Sequence, residues 1–286
     1  MSSHERTATV SETGNTFLGD VRVNVERWTR KAVHNPTAFV LEIVVAAFSL
    51  VLFSAVFGDV GAVALERAGF ADVDYVTYLL PAVLLQATMG SAFSSGMGLV
   101  DDLESGMFEK SLVSPMSATA VFTGKAASEL ARIVVQLLVV LGLALAMGAR
   151  IETGAAGLVG ILAVCLLVGL LFMAVSNVVG LLARDDEVVN AASLLFMFPL
   201  LFLSPAFVPL SSDIEFAATF NPVTYGVDAV RALVLGEDVL TVLSVSRFGG
   251  VADTLVPAVV VLVALNLLVG GLAVRLLGRA TSSTAV

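Results

Sequence analysis

Long apolar runs separated by short polar segments dominate the pattern of this chain. A run of about 20 apolar residues is long enough to cross about 30 Å of hydrocarbon as a helix. Most of these runs lack the polar outer face that a soluble helical bundle requires. They predict six membrane-spanning helices: Thr37–Phe57, Tyr78–Leu99, Ala131–Met147, Gly157–Leu182, Val188–Val208 and Val251–Leu277.

The composition supports the same class. Of the 286 residues, 58% are hydrophobic and 14% are charged, and the mean hydropathy is +0.97. A soluble domain has about 45–50% apolar residues and about 25% charged residues. We therefore predict an all-α, polytopic membrane protein with six transmembrane helices.

The segment before the first span, "TFLGDVRVNVERWTRKAVHNP", has helical periodicity. Val21, Val25, Trp28 and Ala32 fall near one face, and basic residues dominate the others. This pattern is typical of an amphipathic helix in the headgroup layer, with Trp28 as an interfacial anchor. A soluble N-terminal helix is the alternative.

The distribution of Lys and Arg predicts the orientation, because cytoplasmic loops carry an excess of both. With six spans, only Arg67, Arg150, Arg231 and Arg247 lie on the side opposite the termini. We therefore expect 1–36 and the tail 278–286 to be cytoplasmic, flanking a transmembrane domain over 37–277. Loop 100–130 is then cytoplasmic and hairpin 209–250 external, in a multi-pass protein of the plasma membrane.

The sequence lacks the residues of a phosphate-binding loop. "TGKA" at 123–126 has Thr119 where such a loop needs glycine, and Ala126 where it needs Ser or Thr. No strand is predicted before it, although the phosphate loop follows one. We predict no ATPase site in this chain.

Catalytic and metal-binding residues are also lacking. "GSAFSSG" at 90–96 offers serines, but a serine nucleophile needs a base, and both His4 and His34 precede the first span. The two histidines do not suggest a shared metal site, and Cys165 lies inside an apolar run. We predict no catalytic residue, no metal and no cofactor.

Polar residues inside the predicted spans are the next candidates, since such groups are costly in lipid and often mark transport pathways. They are Glu42, Gln86, Glu129, Arg132, Gln136, Asn177, Asn190, Ser193 and Asn266. Glu129 and Arg132, three residues apart, are predicted to pair. Hydrogen bonding between helices is an equally good interpretation of the amides and hydroxyls. The candidates for pathway lining are Gln86, Ser94, Asn190, Ser193 and Met197.

Gly90, Ser94 and Gly98 repeat at four-residue spacing in the second span. A stripe of small residues allows a neighbouring helix to approach closely. We expect this stripe to pack within the molecule, with a subunit contact as the second possibility.

The cytoplasmic loop carries an acidic segment after the second span. Asp101, Asp102, Glu104 and Glu109 surround Gly106, and Pro115 follows. Acidic residues near a helix start suit the helix dipole, and a proline inside the pattern forces a turn. We expect a short helix across the membrane face; an ordinary solvated loop is the alternative.

The external segment 220–236 is predicted to be a short helix with a defined start and end. Asn221 is suited to cap it, Pro222 fits its first position and Gly236 its end. Valines at helical spacing form one apolar stripe, with Asp228 and Arg231 placed to pair beside it. We expect an amphipathic helix dipping into the membrane edge, with a plain surface helix as the alternative.

Three segments resemble a known family, the ABC type 2 transporter permeases. "FNPVTYGVDAVRALVLG" resembles the signature NP-x-TY-x-VDA-x-R, and "DDLESGMFEKSLVSPMSATAVFTGK" is similar to the acidic segment after the second span. "LLFMFPLLFLSPAFVPL" resembles the fifth span and its exit. The chain departs from the pattern at Met107 and Lys110, where Thr and Arg are common.

The resemblance implies a membrane subunit driven by a separate cytoplasmic ATP-binding cassette ATPase. Such permeases form homodimers or pair with a similar permease, and they export drugs, lipids, lipid-linked glycans or other hydrophobic cargo. Membrane lipid is the other expected partner, and nucleic acid is not. A secondary transporter or channel is the alternative function, followed by a non-transporting scaffold.

The resemblance also assigns roles to residues. The ATPase-coupling residues would be Asp101, Asp102, Glu104, Gly106, Glu109 and Pro115. The external re-entrant lid would carry Asn221, Pro222, Tyr225, Asp228 and Arg231.

Overall fold

The computed structural model describes residues 17–34, 36–67, 69, 72–106, 118–207, 212–242 and 247–283. All regular secondary structure in these ranges is helical, which confirms the all-α class for this part of the chain. The helices are α1 (Phe17–His34), α2 (Pro36–Arg67), α3 (Tyr75–Glu104), α4 (Ala118–Ala146), α5 (Gly154–Ala183), α6 (Asp186–Phe202), α7 (Ser212–Thr219), α8 (Pro222–Leu235) and α9 (Val251–Ser283).

Five of these helices are long and apolar enough to cross a membrane. The spans are Phe39–Arg67, Tyr75–Glu104, Thr123–Ala146, Gly154–Ala183 and Val251–Leu276, in α2, α3, α4, α5 and α9. They coincide with five of the six predicted spans. The sixth, predicted over Val188–Val208, is not confirmed: α6 has 17 residues and ends at Phe202, before a turn over 203–206.

Helix α3 is the centre of the bundle. Of the residues in its apolar 18-residue stretch 83% are buried, whereas the corresponding stretches of α2 and α9 are 17% and 11% buried. It packs against α2, α4, α5, α6 and α8. Tyr78 near its start contacts α8, and Asp102 in its last turn contacts α1. At about 1.5 Å per residue, these two residues of α3 lie about 36 Å apart along the helix.

Helices α3 and α5 approach each other closely at Gly96. A Cβ atom at Gly96 would lie 2.2 Å from Ser176 Oγ, and one at Gly180 would lie 2.8 Å from the Gly96 carbonyl oxygen. The predicted stripe is displaced from this contact, because Gly90 faces open space and Gly98 only meets Trp28 at ordinary distance. Close packing within the molecule therefore occurs on the neighbouring face of α3.

Helix α1 packs on protein rather than lying freely in the headgroup layer. Asp20, Asn24 and Trp28, at four-residue spacing, are buried, and α1 packs mainly on α4. The approach is close because Gly124 of α4 has no side chain where Asn24 lies. Trp28 is only 8% exposed, so it is not the exposed interfacial anchor that the sequence predicts.

The outer helices expose large apolar side chains. Val60 of α2, Leu195 of α6 and Leu267 of α9 are each about 70% exposed. A soluble protein rarely exposes contiguous apolar faces of this extent. Together with the five long apolar helices, these faces identify a multi-pass membrane protein.

Candidate functional site

Local chemistry sets both ends of α8. The Asn221 side chain accepts a hydrogen bond from the Val223 N–H at 3.0 Å, as expected of a helix cap. Pro222 occupies the first helical position. Gly236 ends the helix with φ +75°, a conformation that favours glycine. The bounds Pro222–Leu235 therefore follow those predicted from the sequence.

The surroundings of α8 differ from both interpretations of the sequence. Every residue from Val223 to Val234 is buried, including the charged ones. The helix packs against α3, α5, α6 and α9. It is therefore an enclosed helix rather than an amphipathic or plain surface helix, because protein covers the polar face as well as the valine stripe.

Asp228 and Arg231 do not form the predicted pair. The Arg231 guanidinium donates hydrogen bonds to the carbonyl oxygens of Pro205 at 2.7 Å and Ala206 at 3.2 Å. It also lies 3.8 Å above the ring of Tyr78. Helix α6 ends just before these carbonyls and leaves them without helical partners. Arg231 therefore binds the end of α6 to the start of α3.

The Asp228 carboxylate binds a different segment, the one that follows α8. Its Oδ2 accepts hydrogen bonds from the Thr241 N–H at 2.9 Å and the Thr241 hydroxyl at 2.7 Å. Burial raises the pKa of Asp228 to about 6, against the hydrogen bonds from Thr241 and the nearby charge of Arg231. Asp228 thereby fixes the segment after α8.

The other polar side chains of segment 220–236, those of Asn221 and Tyr225, also form hydrogen bonds with backbone carbonyls of neighbouring elements. Asn221 donates through Nδ2 to the Leu200 carbonyl oxygen at 2.6 Å. The Tyr225 hydroxyl donates to the Thr219 carbonyl oxygen at 2.8 Å. The segment predicted as an external lid is thus joined by its own polar side chains to α6, to α7 and to the chain after α8.

At the opposite end, residues 101–104 of the acidic segment belong to α3, and most of the short helix expected there, residues 107–117, lies outside the described residues. Asp101, Asp102 and Glu104 form the last turn of α3, and Gly106, with φ +67°, follows it. Carboxylates do not break a helix, although they oppose its dipole at this end. The Arg27 guanidinium of α1 lies 3.4 Å from Asp102 and offsets that charge. Glu109 and Pro115 lie outside the described residues.

Beside this turn, a buried lysine joins four helices. Lys125 of α4 donates through Nζ to the Ser95 carbonyl oxygen of α3 at 2.5 Å and to Asn177 Oδ1 of α5 at 3.1 Å. Its ammonium lies 5.1 Å from the ring centroid of Trp28 in α1. This site provides the cation–π contact and the carbonyl partners that a buried ammonium needs.

A groove of about 320 Å³ opens between these two ends. Its lining comprises Leu41, Glu42, Val45, Ala46, Gln86, Ala87, Gly90, Ser91, Ser94, Met97, Gln136 and Met197. The structure thus brings together three of the predicted pathway residues: Gln86, Ser94 and Met197. Asn190 and Ser193 are not in the lining, and the Ser193 hydroxyl donates to the Asn190 carbonyl oxygen of its own helix.

A charge cluster borders the groove. Arg132 Nη2 lies 3.0 Å from Glu129 Oε2, which confirms the predicted pair. Arg132 Nη1 also lies 3.6 Å from Glu42 Oε1. The Ser94 hydroxyl donates to the same Glu42 oxygen at 2.8 Å. Glu42 is therefore held between α3 and α4 rather than extended toward the interface.

Several of these partners were not predicted. Nothing local to Thr241 marks it as the partner of Asp228. The partners of Arg231 carry a weak signal, since Pro205 directly follows an apolar run and leaves carbonyls that need donors. No group of three or more His, Cys, Asp or Glu in the described ranges could hold a metal ion.

Comparison with known proteins agrees with this geometry. Residues 20–235 match the family model of the ABC-2 type transporter. The daunorubicin resistance ABC transporter permease protein DrrB1 of Streptomyces coeruleorubidus is 27% identical over 220 residues, which is 74% of this chain and 75% of that protein. The family match begins in α1 and ends with α8, so it includes both ends of the bundle and the groove. This membrane protein is thus a permease that belongs to the ABC-2 type transporter family.

Proposed function

We propose that this chain is the membrane subunit of an ATP-binding cassette exporter that moves a hydrophobic or amphipathic compound out of the cytoplasm. The observation that carries the proposal is the groove, whose lining is mainly apolar with a few polar groups. Ligand sites for amphipathic molecules have this composition. The relative named for daunorubicin resistance supports a drug-like or lipid-like cargo.

The energy comes from a separate ATPase subunit. The sequence has no phosphate-binding loop, so the isolated chain neither binds nor hydrolyses ATP. Two permease subunits, identical or similar, complete the membrane part. In this arrangement α6 and the turn after it form the fifth of six spans, and 209–250 closes the pathway on the outside.

The ATPase docks where α1, the last turn of α3 and the start of α4 meet. Asp101 and Glu104 are exposed there, whereas Asp102 is bound to Arg27. A displacement of this surface reaches the groove directly, because α3 supplies both the last turn and much of the groove lining.

Charge reversal at the docking surface tests this proposal. The double variant Glu104→Lys/Glu109→Lys should remain folded, since solvated surface changes alter stability by about 0.5 kcal/mol or less. It should lose the ATPase and abolish transport, because like charges across an interface cost several kcal/mol. Co-purification of the ATPase and cargo efflux from cells measure the two effects.

Glu187→Lys is the matched control. Glu187 is exposed at the start of α6, on the side also predicted to be cytoplasmic, and α6 packs mainly on α3, α5 and α8 rather than on α1. It should retain the ATPase and efflux. Normal association and efflux in the Glu104/Glu109 double variant would show that this segment does not couple the two subunits.

Cysteine labelling tests the orientation. In a Cys165→Ser background, a cysteine at Asp213 should react with an impermeant reagent in intact cells, and one at Glu104 only after permeabilisation. The reverse pattern would invert the topology and contradict the proposed docking side.

A further inference from the structure

The groove contains hydrogen-bond acceptors without donors. Glu42 Oε2, Gln86 Oε1 and Gln136 Oε1 are buried atoms that have no hydrogen-bond partner among the described residues. These three residues come from α2, α3 and α4, and all of them line the groove. Buried polar atoms are almost always satisfied, so three acceptors without a donor among the described residues require donors from outside the chain, from water or from a ligand.

The charges next to the groove favour a cation. Glu42 and Glu129 are two carboxylates, and Arg132 is the cation that contacts them. One negative charge of this cluster is therefore not balanced by the cluster itself. Glu42 belongs to the groove lining, whereas Glu129 and Arg132 do not. In the low dielectric of a membrane interior, a carboxylate attracts a cation more strongly than it does in water.

The same contacts disfavour an anion. The Arg132 guanidinium already holds both glutamates and donates to the Ser91 carbonyl oxygen at 3.1 Å. Its Nε has no partner in the part of the chain that the structure describes, but Arg132 is outside the lining. The Ser94 hydroxyl, which is in the lining, is bound to Glu42. A phosphate or carboxylate would therefore meet the Glu42 charge without a free cation beside it.

We propose that this groove binds the protonated amine of a cationic amphiphile. On binding, the side chains of Glu42, Gln86 and Gln136, whose oxygens are enclosed in this structure, turn toward the ammonium and accept its hydrogen bonds. The apolar body of the ligand lies along Leu41, Val45 and Met197, which share the groove. The assignment rests on the proposed exporter function, and it narrows the cargo from hydrophobic compounds in general to those bearing an amine.

The groove is suited to this ligand in shape as well as charge. At about 320 Å³ it has the size of a small-molecule site. Gly90 leaves it open, since nothing lies within 4 Å of a Cβ atom built there. The Ser94 and Arg132 contacts to Glu42 Oε1 hold the carboxylate in place and leave its other oxygen to the ligand.

Binding of matched fluorescent probes tests the proposal. The probes carry a dansyl group on an eight-carbon chain that ends in a primary amine, a hydroxyl or a carboxylate. The full chain is purified in phosphatidylcholine nanodiscs without ATPase or nucleotide, and empty nanodiscs give the background. We expect the amine probe to bind at least tenfold more tightly than the hydroxyl probe, and the carboxylate probe most weakly.

Two isosteric variants separate the groove from the rest of the cluster. Glu42→Gln removes the charge inside the groove and should weaken amine binding at least tenfold, while hydroxyl-probe binding stays within twofold. Glu129→Gln removes the other carboxylate bound to Arg132, outside the groove, so it should weaken amine binding through the lost net charge but by less than Glu42→Gln does. If Glu42→Gln does not fold, Gln86→Leu, which keeps every charge, should lower the preference for amine over hydroxyl.

Several outcomes would overturn the assignment. Equal binding of the amine and hydroxyl probes would mean that the groove holds a lipid chain. Loss of amine binding when the permease dimerises would mean that a second copy covers the groove. Equal weakening of amine binding by Glu42→Gln and Glu129→Gln would mean that both substitutions act by disturbing the fold rather than by removing a contact with the amine. Because no ATPase is present, each of these outcomes leaves the exporter proposal to be decided separately by efflux.

Discussion

The two ends of α3 are held in different ways. At the α8 end, charged side chains are completely enclosed and bind backbone: Arg231 holds the carbonyls after α6, and Asp228 holds Thr241. At the α1 end, the Arg27–Asp102 contact joins two side chains at 3.4 Å, and the arginine is about one-third exposed. Both ends carry charges next to α3, and Lys125 is enclosed at the α1 end as well, but the Arg27–Asp102 pair at that end is only partly enclosed.

This difference indicates which end is fixed and which can move. If a buried charge separates from the backbone carbonyls that it binds, both are left without hydrogen-bond partners. The α8 end therefore has one favourable arrangement. A partly exposed ion pair contributes little and exchanges its partner for water at small cost. We infer that α8 fixes the end of the bundle at which α3 begins, while α1 and the last turn of α3 can rearrange.

Removing Arg231 should have the largest effect. Arg231→Leu leaves the Pro205 and Ala206 carbonyls buried without donors, at about 1–3 kcal/mol for each group. We expect the free energy of unfolding in detergent to fall by about 3 kcal/mol in total. Arg150→Ala, an exposed arginine at the same end, should change it by about 0.5 kcal/mol or less. Equal effects of the two variants would show that the α8 end is not anchored by its buried charge.

The pH dependence of stability should come next. The pKa of Asp228 is raised from 3.8 to about 6, chiefly by burial. Because the folded-state pKa is the higher one, this carboxyl's contribution is fully present below the unfolded value and is lost as pH rises through about 6. Asp228→Asn should therefore reduce the change of the denaturation midpoint with pH between about pH 4 and pH 7. An unchanged slope would assign the pH dependence to other carboxyl groups.

Lys125 provides an intermediate case at the α1 end. Lys125→Met removes the donor to Ser95 and Asn177 but also removes the desolvation penalty of a buried charge, so the two effects partly cancel. We expect a loss of about 1 kcal/mol in the free energy of unfolding. A loss as large as that for Arg231→Leu would mean that both ends are equally fixed.

The Arg27–Asp102 pair should show the smallest effect. A double-mutant cycle with Arg27→Ala and Asp102→Asn should give a coupling energy below about 1 kcal/mol that declines with added salt. ATPase-coupled efflux should respond more strongly than stability, because this pair borders the proposed docking surface. A salt-independent coupling above about 2 kcal/mol would place this end among the fixed parts.

Local chemistry explains what the sequence could predict. Apolar run lengths predict α2, α3, α4, α5 and α9, since crossing a membrane depends on length and composition alone. Asn221, Pro222 and Gly236 predict the bounds of α8 because caps and terminators act within a few residues. Glu129 and Arg132 lie one helical turn apart, so their pairing also follows from spacing.

What the sequence did not predict depends on contacts between distant segments. Asp228 and Arg231 satisfy the same spacing rule as Glu129 and Arg132, yet each takes partners far along the chain instead. Trp28 fits an interfacial anchor by composition, but Lys125 and Gly98 bury it. The groove needs Glu42, Gln86 and Gln136 from three helices, and no periodicity within one helix shows which of its polar residues will face the others.

The enclosure of α8 has a consequence for the order in which the molecule is built. The carbonyls that receive Arg231, the Leu200 carbonyl that receives Asn221 and the ring of Tyr78 all precede α8 in the chain. They are therefore synthesised first, and this part of the receptor of α8 already exists when α8 emerges, whereas α9, which also packs on α8, follows it. An arginine is too costly to leave unpaired in hydrocarbon. We expect α8 to dock on α3, α5 and α6 once it has been translocated, and Thr241 and α9 to complete its enclosure later.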